Sequence, residues 1–201
     1  MGIYVALSDL GKLQEGMVRS IAGGTASTLV DGEKEELRKV LLAGEGSERV
    51  WGHILKEEGL KSAARIVPVR NTDFGHLRDG WVRGIDARGK GPGFEDENFK
   101  TAVGEFKGVF GGRKGVGKGK VLLLGRGEDG ALGVWVEEEM EGKTGEMVRL
   151  GGVRDERVAR LVWLGYLAGG TVASEGARRS VVEGVMELVE RPIGTVETQV
   201  V

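Results

Sequence analysis

The chain has 201 residues, with 29 basic and 31 acidic side chains, two histidines and no cysteine. Its length fits one ordinary domain, and 40% apolar with 30% charged residues is a globular composition. The near balance of charge gives no electrostatic reason to expect nucleic acid as a partner. The lack of cysteine excludes disulfides, zinc–thiolate and iron–sulfur sites, and two histidines exclude a metal centre built from several imidazoles.

The distribution of the apolar residues and glycines excludes further classes. No run of about 18 apolar residues exists, so we expect no integral membrane segment in this chain. The opening residues, MGIYVAL, lack the basic region and the cleavage site of a secretory signal. The 37 glycines show no three-residue period, which excludes collagen.

Hydrophobic periodicity divides the first half of the chain into short elements. We predict, in chain order, a strand over Ile3–Leu7, an N-cap at Ser8 and Asp9, helices over Gly32–Ala43 and Glu48–Glu58, and a strand over Ala63–Val69. Because proline donates no hydrogen bond to a ladder, Pro68 places that last strand at a sheet edge or at a strand end.

The second half gives stronger patterns, above all an apolar stripe at helical spacing over Phe94–Phe110. The other predicted elements are, in order, a helix from Phe74 to Ile85, loops at Gly89–Gly93 and Gly111–Gly119, strands over Lys120–Arg126, Ala131–Val136 and Met147–Leu150, and helices over Arg154–Ala168 and Ser174–Glu190. The connections between the strands are too short for parallel crossovers. We therefore predict an α+β fold, with helices layered on one face of a mostly antiparallel sheet, as a single domain over residues 1–192 with a flexible tail over 193–201.

The densest polar cluster lies at a strand-to-helix junction. It supplies the candidate ligand-binding residues Arg70, Thr72, Asp73, His76 and Arg78. Such a junction exposes backbone amides at a helix N-terminus, which suit the oxygens of an anion. Asp73, three residues before His76, could orient its imidazole as a general base, although a solvated helix face gives the same spacing.

A second motif, Gly112–Lys118, matches the G-x-x-x-x-G-K pattern of a phosphate-binding loop. The next residue is Gly119, where that motif needs a serine or threonine for magnesium. A helix also precedes the loop and a strand follows it, which is the reverse of the order that phosphate binding requires. We therefore interpret it as a flexible helix–strand connection.

Several segments together resemble the chalcone isomerase fold family, in particular its fungal mitochondrial members of the altered inheritance of mitochondria group. They are RIVPVRNTDFGHLRDGWVRGI over Arg65–Ile85, the predicted helix and hairpin after it, and LGGVRDERVARLVWLGYLAGGTVASEGARRSVVEGVMELV over Leu150–Val189. The resemblance implies an open-faced β-sandwich with a cleft between sheet and helices. Mitochondrial localisation is implied by the resemblance alone, because no presequence is visible in the chain.

In plant members of this family the cleft cyclises a chalcone, an intramolecular lyase (isomerase) reaction that uses an arginine; other members bind fatty acids. The family's arginine precedes a strand that matches Gly2–Ala6, so the resemblance implies a domain that is incomplete, or truncated, at its N-terminus. The catalytic tyrosine falls near Asp73 or Phe74 and the asparagine near Gly80, whereas a hydroxyl is retained at Ser180.

These departures favour a binding protein whose cleft holds a small apolar anion, either a fatty acid or haem, without turnover. No catalytic residue is assigned and no metal is expected. The alternative is an active isomerase in which Arg70 or Arg78 replaces the missing arginine.

Overall fold

The computed structural model describes residues 1–24, 26–140 and 143–191, and the predicted tail over 193–201 lies outside this range. Two compact units form within it. The first comprises Met1–Tyr4 and Ser62–Val162, and the second comprises Val5–Lys61 and the chain from Trp163 onward. A single domain over residues 1–192 stays a prediction. None of the described helices is both long and apolar enough to cross a membrane.

The described elements follow the order expected from the sequence, with two short strands added, one directly before Phe74 and one in the glycine–lysine loop. The strands are β1 (Gly2–Val5), β2 (Ser62–Ile66), β3 (Thr72–Asp73), β4 (Gly115–Val116), β5 (Leu122–Arg126), β6 (Leu132–Met140) and β7 (Lys143–Val153). The helices are α1 (Leu10–Ala22), α2 (Asp31–Leu42), α3 (Gly44–Glu57), α4 (Phe74–Arg88), α5 (Glu97–Val109), α6 (Glu156–Leu167) and α7 (Glu175–Val189).

The main sheet has the strand order β1, β2, β5, β6, β7. β2 pairs with β5, β5 with β6 and β6 with β7, each time antiparallel. The predicted turn between β5 and β6 is present: Gly127 donates its amide to the Ala131 carbonyl at 2.9 Å, and Gly130 has a φ of 78°, which glycine adopts without strain. The prediction of an α+β fold with a mostly antiparallel sheet is confirmed.

Side chains alternate along the strands between a core face and an outer face. On β5, Leu122 and Leu124 are fully buried, whereas Leu123 between them is partly exposed. On β6, Val134 and Val136 are buried and Trp135 between them is partly exposed. Because side chains on a strand point alternately to opposite sides, the buried set defines the core face of the sheet.

Helices α4 and α5 of the first unit carry an aromatic cluster. Trp81 on α4 lies 6.1 Å from Phe106 and 5.3 Å from Phe110, measured between ring centroids, and Phe74 lies 5.7 Å from Phe110. All four rings are at most 7% exposed. The cluster therefore fixes the start of α4, beside which most of the candidate site residues lie.

Two predicted boundaries shift for identifiable reasons. The predicted strand over Ala63–Val69 ends at Ile66, because Pro68 has no amide hydrogen and its carbonyl accepts instead from the Gly119 amide at 2.9 Å. The helix predicted over Phe94–Phe110 begins at Glu97, because the Asp96 carboxylate accepts from the Phe99 amide at 2.9 Å and caps the helix there.

The second unit contains α1, α2, α3 and α7, which pack on one another. The side chain of Gln14, which is fully buried, donates to the Leu188 carbonyl at 3.0 Å near the end of α7. Asp9 occupies the N-cap position of α1, as predicted, but its carboxylate accepts from the Lys61 amide at 2.8 Å and makes no capping bond. These two buried polar side chains therefore provide hydrogen-bond partners for backbone groups at the end of α7 and directly before β2.

In the first unit, hydrogen bonds from Arg157 connect the N-terminus of α6 to the N-terminus of α5. Its guanidinium donates to the carboxylates of Asp155 and Asp96 and to the Gly93 carbonyl. It also lies 5.1 Å from the ring centroid of Phe99, a cation–π contact. These charge-assisted hydrogen bonds from Arg157 hold the pKa of Asp96 at about 2 and the pKa of Asp155 below its usual value of 3.8.

We expect the stability gained from these two carboxylates to be lost in acid. Because their folded-state pKa values lie below the unfolded value of 3.8, the contribution is complete above that pH and disappears as the pH falls toward about 2. Urea unfolding of the wild type and of Arg157→Gln should give a stability difference that is largest near neutrality and falls in strong acid to the part contributed by the Gly93 hydrogen bond and the Phe99 contact. A difference of constant size across that range would contradict this assignment, and Arg113→Gln, which removes only an exposed ion pair, is the control.

Candidate functional site

The candidate site is built on the N-terminus of α4. Asp73 is the N-cap, and its carboxylate accepts from the His76 amide at 3.2 Å. Hydrogen bonds from the amides of His76 and Gly75 lower the pKa of Asp73. The helix N-terminus therefore already carries a carboxylate from the chain itself, as in a well-capped helix.

A two-stranded sheet brings the glycine–lysine loop against this junction. β3 pairs antiparallel with β4, with Thr72 opposite Val116 and Asp73 opposite Gly115. A Cβ added at Gly115 would lie 2.2 Å from the Thr72 carbonyl oxygen, so only glycine allows this close approach. The predicted flexible connection over Gly111–Gly119 thus contains a strand.

Two further hydrogen bonds fix the loop on either side of β4. The Lys118 amide donates to the Asn71 side-chain oxygen at 2.8 Å, and the Phe74 amide donates to the Lys114 carbonyl at 3.3 Å. Arg70 directly precedes Asn71, so these backbone contacts place three cationic residues, Arg70, Lys114 and Lys118, next to one junction. We call these three residues the basic cluster.

The basic cluster is electrostatically uncompensated. All three residues are exposed, and within the described part of the chain none of them has a carboxylate partner. The residue before Arg70 is Val69, which is 86% exposed and is among the most exposed large apolar residues described. The junction therefore presents positive charge next to apolar surface.

The remaining candidates have local partners or lie elsewhere. The Thr72 hydroxyl donates to the Arg70 carbonyl at 3.0 Å, and the Arg78 guanidinium pairs with Asp79 at 2.8 Å. The His76 Nδ1 is 3.6 Å from the Asp73 Oδ1, beyond hydrogen-bond distance, and the imidazole is 88% exposed. Ser180 is an exposed residue of α7 and belongs to the second unit.

Lys114 and Lys118 were missed as site residues by the sequence analysis. The signal that identifies them is the combination of a polar junction and a glycine-rich loop with two lysines, but their pairing joins residues more than 40 positions apart. The same geometry shows a strand where a phosphate-binding loop would need a helix start, in agreement with rejecting that motif. Across residues 1–24, 26–140 and 143–191, no group of three or more acidic or histidine side chains is placed to hold a metal ion.

The fold and the junction together define a class of protein. A meander of antiparallel strands followed by two terminal helices, with a polar strand-to-helix junction in the middle of the chain, is an α+β domain of the isomerase-like type that the sequence segments resemble. The family model described as chalcone isomerase like matches residues 1–182. The chain belongs to the chalcone isomerase-like family, as the resemblance predicted.

The curated relatives are fungal. The protein named "Altered inheritance of mitochondria protein 18, mitochondrial" from Debaryomyces hansenii is 31% identical over 94% of this chain, and that from Eremothecium gossypii is 32% identical over 94%. The chain spans 60% and 61% of the length of these two relatives. Both carry a mitochondrial designation in their names, so the mitochondrial localisation predicted from the resemblance is confirmed at that level.

A solved structure shares the fold. The crystal structure of a fatty-acid binding protein from Arabidopsis thaliana superimposes with a TM-score of 0.64 and 16% sequence identity, covering 94% of this chain and 78% of that one. At this identity the likeness shows the fold alone.

Proposed function

We propose that this chain is a ligand-binding, non-catalytic member of the chalcone isomerase-like family that holds a small apolar anion, of which a fatty acid is the first candidate. The observation that carries the proposal is the basic cluster, in which the backbone brings Arg70, Lys114 and Lys118 next to one junction, without carboxylate partners among the described residues. The similar Arabidopsis structure is that of a fatty-acid binding protein, which adds support for this ligand class. By analogy with the family that the chain resembles, the apolar part of the ligand would lie in a cleft between sheet and helices.

The charge of the cluster favours an anionic end group. Arginine and lysine bind carboxylates through charge-assisted hydrogen bonds, which are stronger than neutral ones. Asp73 is committed to the amides of α4, so it does not neutralise the cluster through an ion pair with these cations. A carboxylate ligand would supply the missing negative charge.

The same geometry does not favour catalysis. General acid–base and oxyanion catalysis depend on groups that are aligned within hydrogen-bond reach and shielded from water. Here the Asp73–His76 pair is too long for a hydrogen bond, and both side chains are more than half exposed. Arg70 and Arg78, the two candidate replacements for the family's arginine, belong to an exposed junction, and Arg78 is paired with Asp79.

We expect palmitate to raise the melting temperature of the protein, since a ligand that binds only the folded state stabilises it by mass action. The triple variant Arg70→Gln, Lys114→Gln, Lys118→Gln should bind palmitate about tenfold more weakly, because it removes the charge-assisted contacts. The matched control is Arg83→Gln, Lys107→Gln, Lys39→Gln, which removes the same charge at three other exposed positions. Equal weakening in both variants, or no thermal shift in the wild type, would count against the proposal.

Two arms of the experiment address the other ligands and the alternative activity. Hemin replaces palmitate in the first, with the Soret band as readout. A Soret shift that is seen with the wild type and lost in the triple variant would assign haem as the anion.

In the second, naringenin chalcone is incubated with the wild type and with Arg70→Ala. A cyclisation rate above buffer that falls in Arg70→Ala would replace the binding proposal with an isomerase.

A further inference from the structure

The outer face of the main sheet carries an ordered row of side chains. The antiparallel registers place Arg65 on β2, Leu123 on β5, Trp135 on β6 and Arg149 on β7 directly opposite one another. All four belong to the first unit and are exposed or partly exposed. Four adjacent strands at about 4.8 Å separation span about 14 Å, so the row crosses the sheet with an arginine at each end and apolar groups between them.

A neighbouring row has almost no side chains. It consists of Ala63, Gly125, Gly133 and Gly152, which are paired across the same four strands. A Cβ added at Gly133 would lie 2.2 Å from the Trp135 ring, and one added at Gly125 would lie 2.9 Å from it. The indole therefore packs against both glycines and remains partly exposed.

The guanidinium of Arg149 belongs to the same arrangement. A Cβ at Gly152 would lie 3.0 Å from its Nη2 atom, and the group stands 6.0 Å from the Trp135 ring centroid. Neither Arg149 nor Arg65 has a carboxylate partner among the described residues. The face thus combines a supported aromatic ring with two cations that have no ion-pair partner among the described residues. Met147, which is 40% exposed, lies on the same side of β7, opposite Glu137, whose carboxylate pairs with Lys120 at 3.7 Å.

The shape and charge of this outer face favour a protein segment over the other classes of partner. The ring fills the low glycine row and leaves a flat surface, whereas small-molecule sites are concave. Two copies of this face would bring arginines against arginines, which disfavours self-association. The indole lies along the sheet rather than projecting from it, so it is poorly placed to enter a bilayer. Tryptophan, arginine and methionine are the residues enriched in protein–protein interfaces.

We propose that this outer face, formed by Arg65, Leu123, Trp135 and Arg149, docks an acidic protein segment that carries an aromatic side chain. The aromatic side chain stacks on the exposed side of Trp135, and carboxylates pair with the two arginines at the ends of the row. This surface is separate from the basic cluster, and the proposal does not depend on the proposed function.

The intrinsic fluorescence of the protein gives a site-specific test. Trp51, Trp81 and Trp163 are at most 7% exposed, so Trp135 is the accessible indole. A random copolymer of glutamate and tyrosine, titrated with excitation that tyrosine does not absorb, should change the Trp135 emission and protect it from acrylamide. Arg65→Gln with Arg149→Gln should weaken this binding at least tenfold, whereas Arg83→Gln should leave it unchanged.

Three results would overturn the proposal. The first is no change in emission, and the second is equal binding of polyglutamate, which has charge but no ring. The third is tighter, arginine-dependent binding of polyuridylate or of phosphatidylglycerol vesicles, which would assign the face to RNA or to a membrane instead. A Trp135→Phe variant that still binds the copolymer by sedimentation but has lost the emission change shows that the signal comes from this site.

Discussion

Replacing Phe106 with alanine is expected to lower the free energy of unfolding by about 3–5 kcal/mol. Phe106 is fully buried, and its ring lies between Trp81 at 6.1 Å and Phe110 at 5.4 Å. Its removal leaves a cavity in the cluster that fixes α4, and the neighbouring rings can close it only in part. Equilibrium urea unfolding, followed by tryptophan fluorescence, measures the change.

Phe94→Ala is the matched control for this substitution. Phe94 lies in a loop and is partly exposed to solvent. Its ring contacts Phe99 edge-on at 5.2 Å, and the Arg160 guanidinium lies 5.5 Å from its ring centroid. We expect a loss of about 1 kcal/mol. Equal losses in the two variants would mean that the aromatic cluster does not form the core of the first unit.

Gly115→Ala is expected to destabilise the protein by about 2–3 kcal/mol and to weaken palmitate binding as well. The added methyl group would lie 2.2 Å from the Thr72 carbonyl oxygen and 3.0 Å from the Asp73 Cα, and both are backbone atoms that cannot move aside cheaply. The β3–β4 pairing must therefore open, which displaces Lys114 and Lys118 from the junction. Urea unfolding gives the stability change, and a palmitate titration of the folded variant gives the change in affinity.

Gly117→Ala provides the comparison within the same loop. A Cβ at Gly117 meets only the Lys120 side chain, at 3.4 Å. Its stability should stay within about 0.5 kcal/mol of the wild type, and its affinity for palmitate should be unchanged. If Gly115→Ala behaved like Gly117→Ala, the close approach of β4 to β3 would not hold the basic cluster together.

The sequence predicted the elements of the fold well because their signals are local. The apolar stripe of α5 and the turn at Gly127–Gly130 depend on residues close together in the chain. The boundaries were less predictable: β2 ends at Ile66 partly because the Pro68 carbonyl bonds Gly119, a residue about 50 positions away. Likewise, the carboxylate of Asp9 accepts from the amide of Lys61, about 50 positions away, and makes no capping bond to its own helix.

Of the three residues of the basic cluster, the sequence alone identifies only Arg70 as a candidate. The polar junction containing Arg70 was recognised, since capping residues before a helix are a local pattern. Lys114 and Lys118 were assigned to a connection because the pairing of β3 with β4 involves two residues in each strand, too few to give an alternation pattern. The glycine row under Trp135 is also invisible in sequence, because it forms only when three strands align in register.

The central claim, that the basic cluster holds the anionic end of an apolar ligand, is tested most directly by carbon-13 NMR of palmitate labelled at its carboxyl carbon. Our account predicts a separate resonance for the bound carboxylate, which stays ionised to lower pH than free palmitate and disappears in the variant lacking the charges of Arg70, Lys114 and Lys118. A bound resonance that titrates like free palmitate, or one that persists unchanged in that variant, would contradict it.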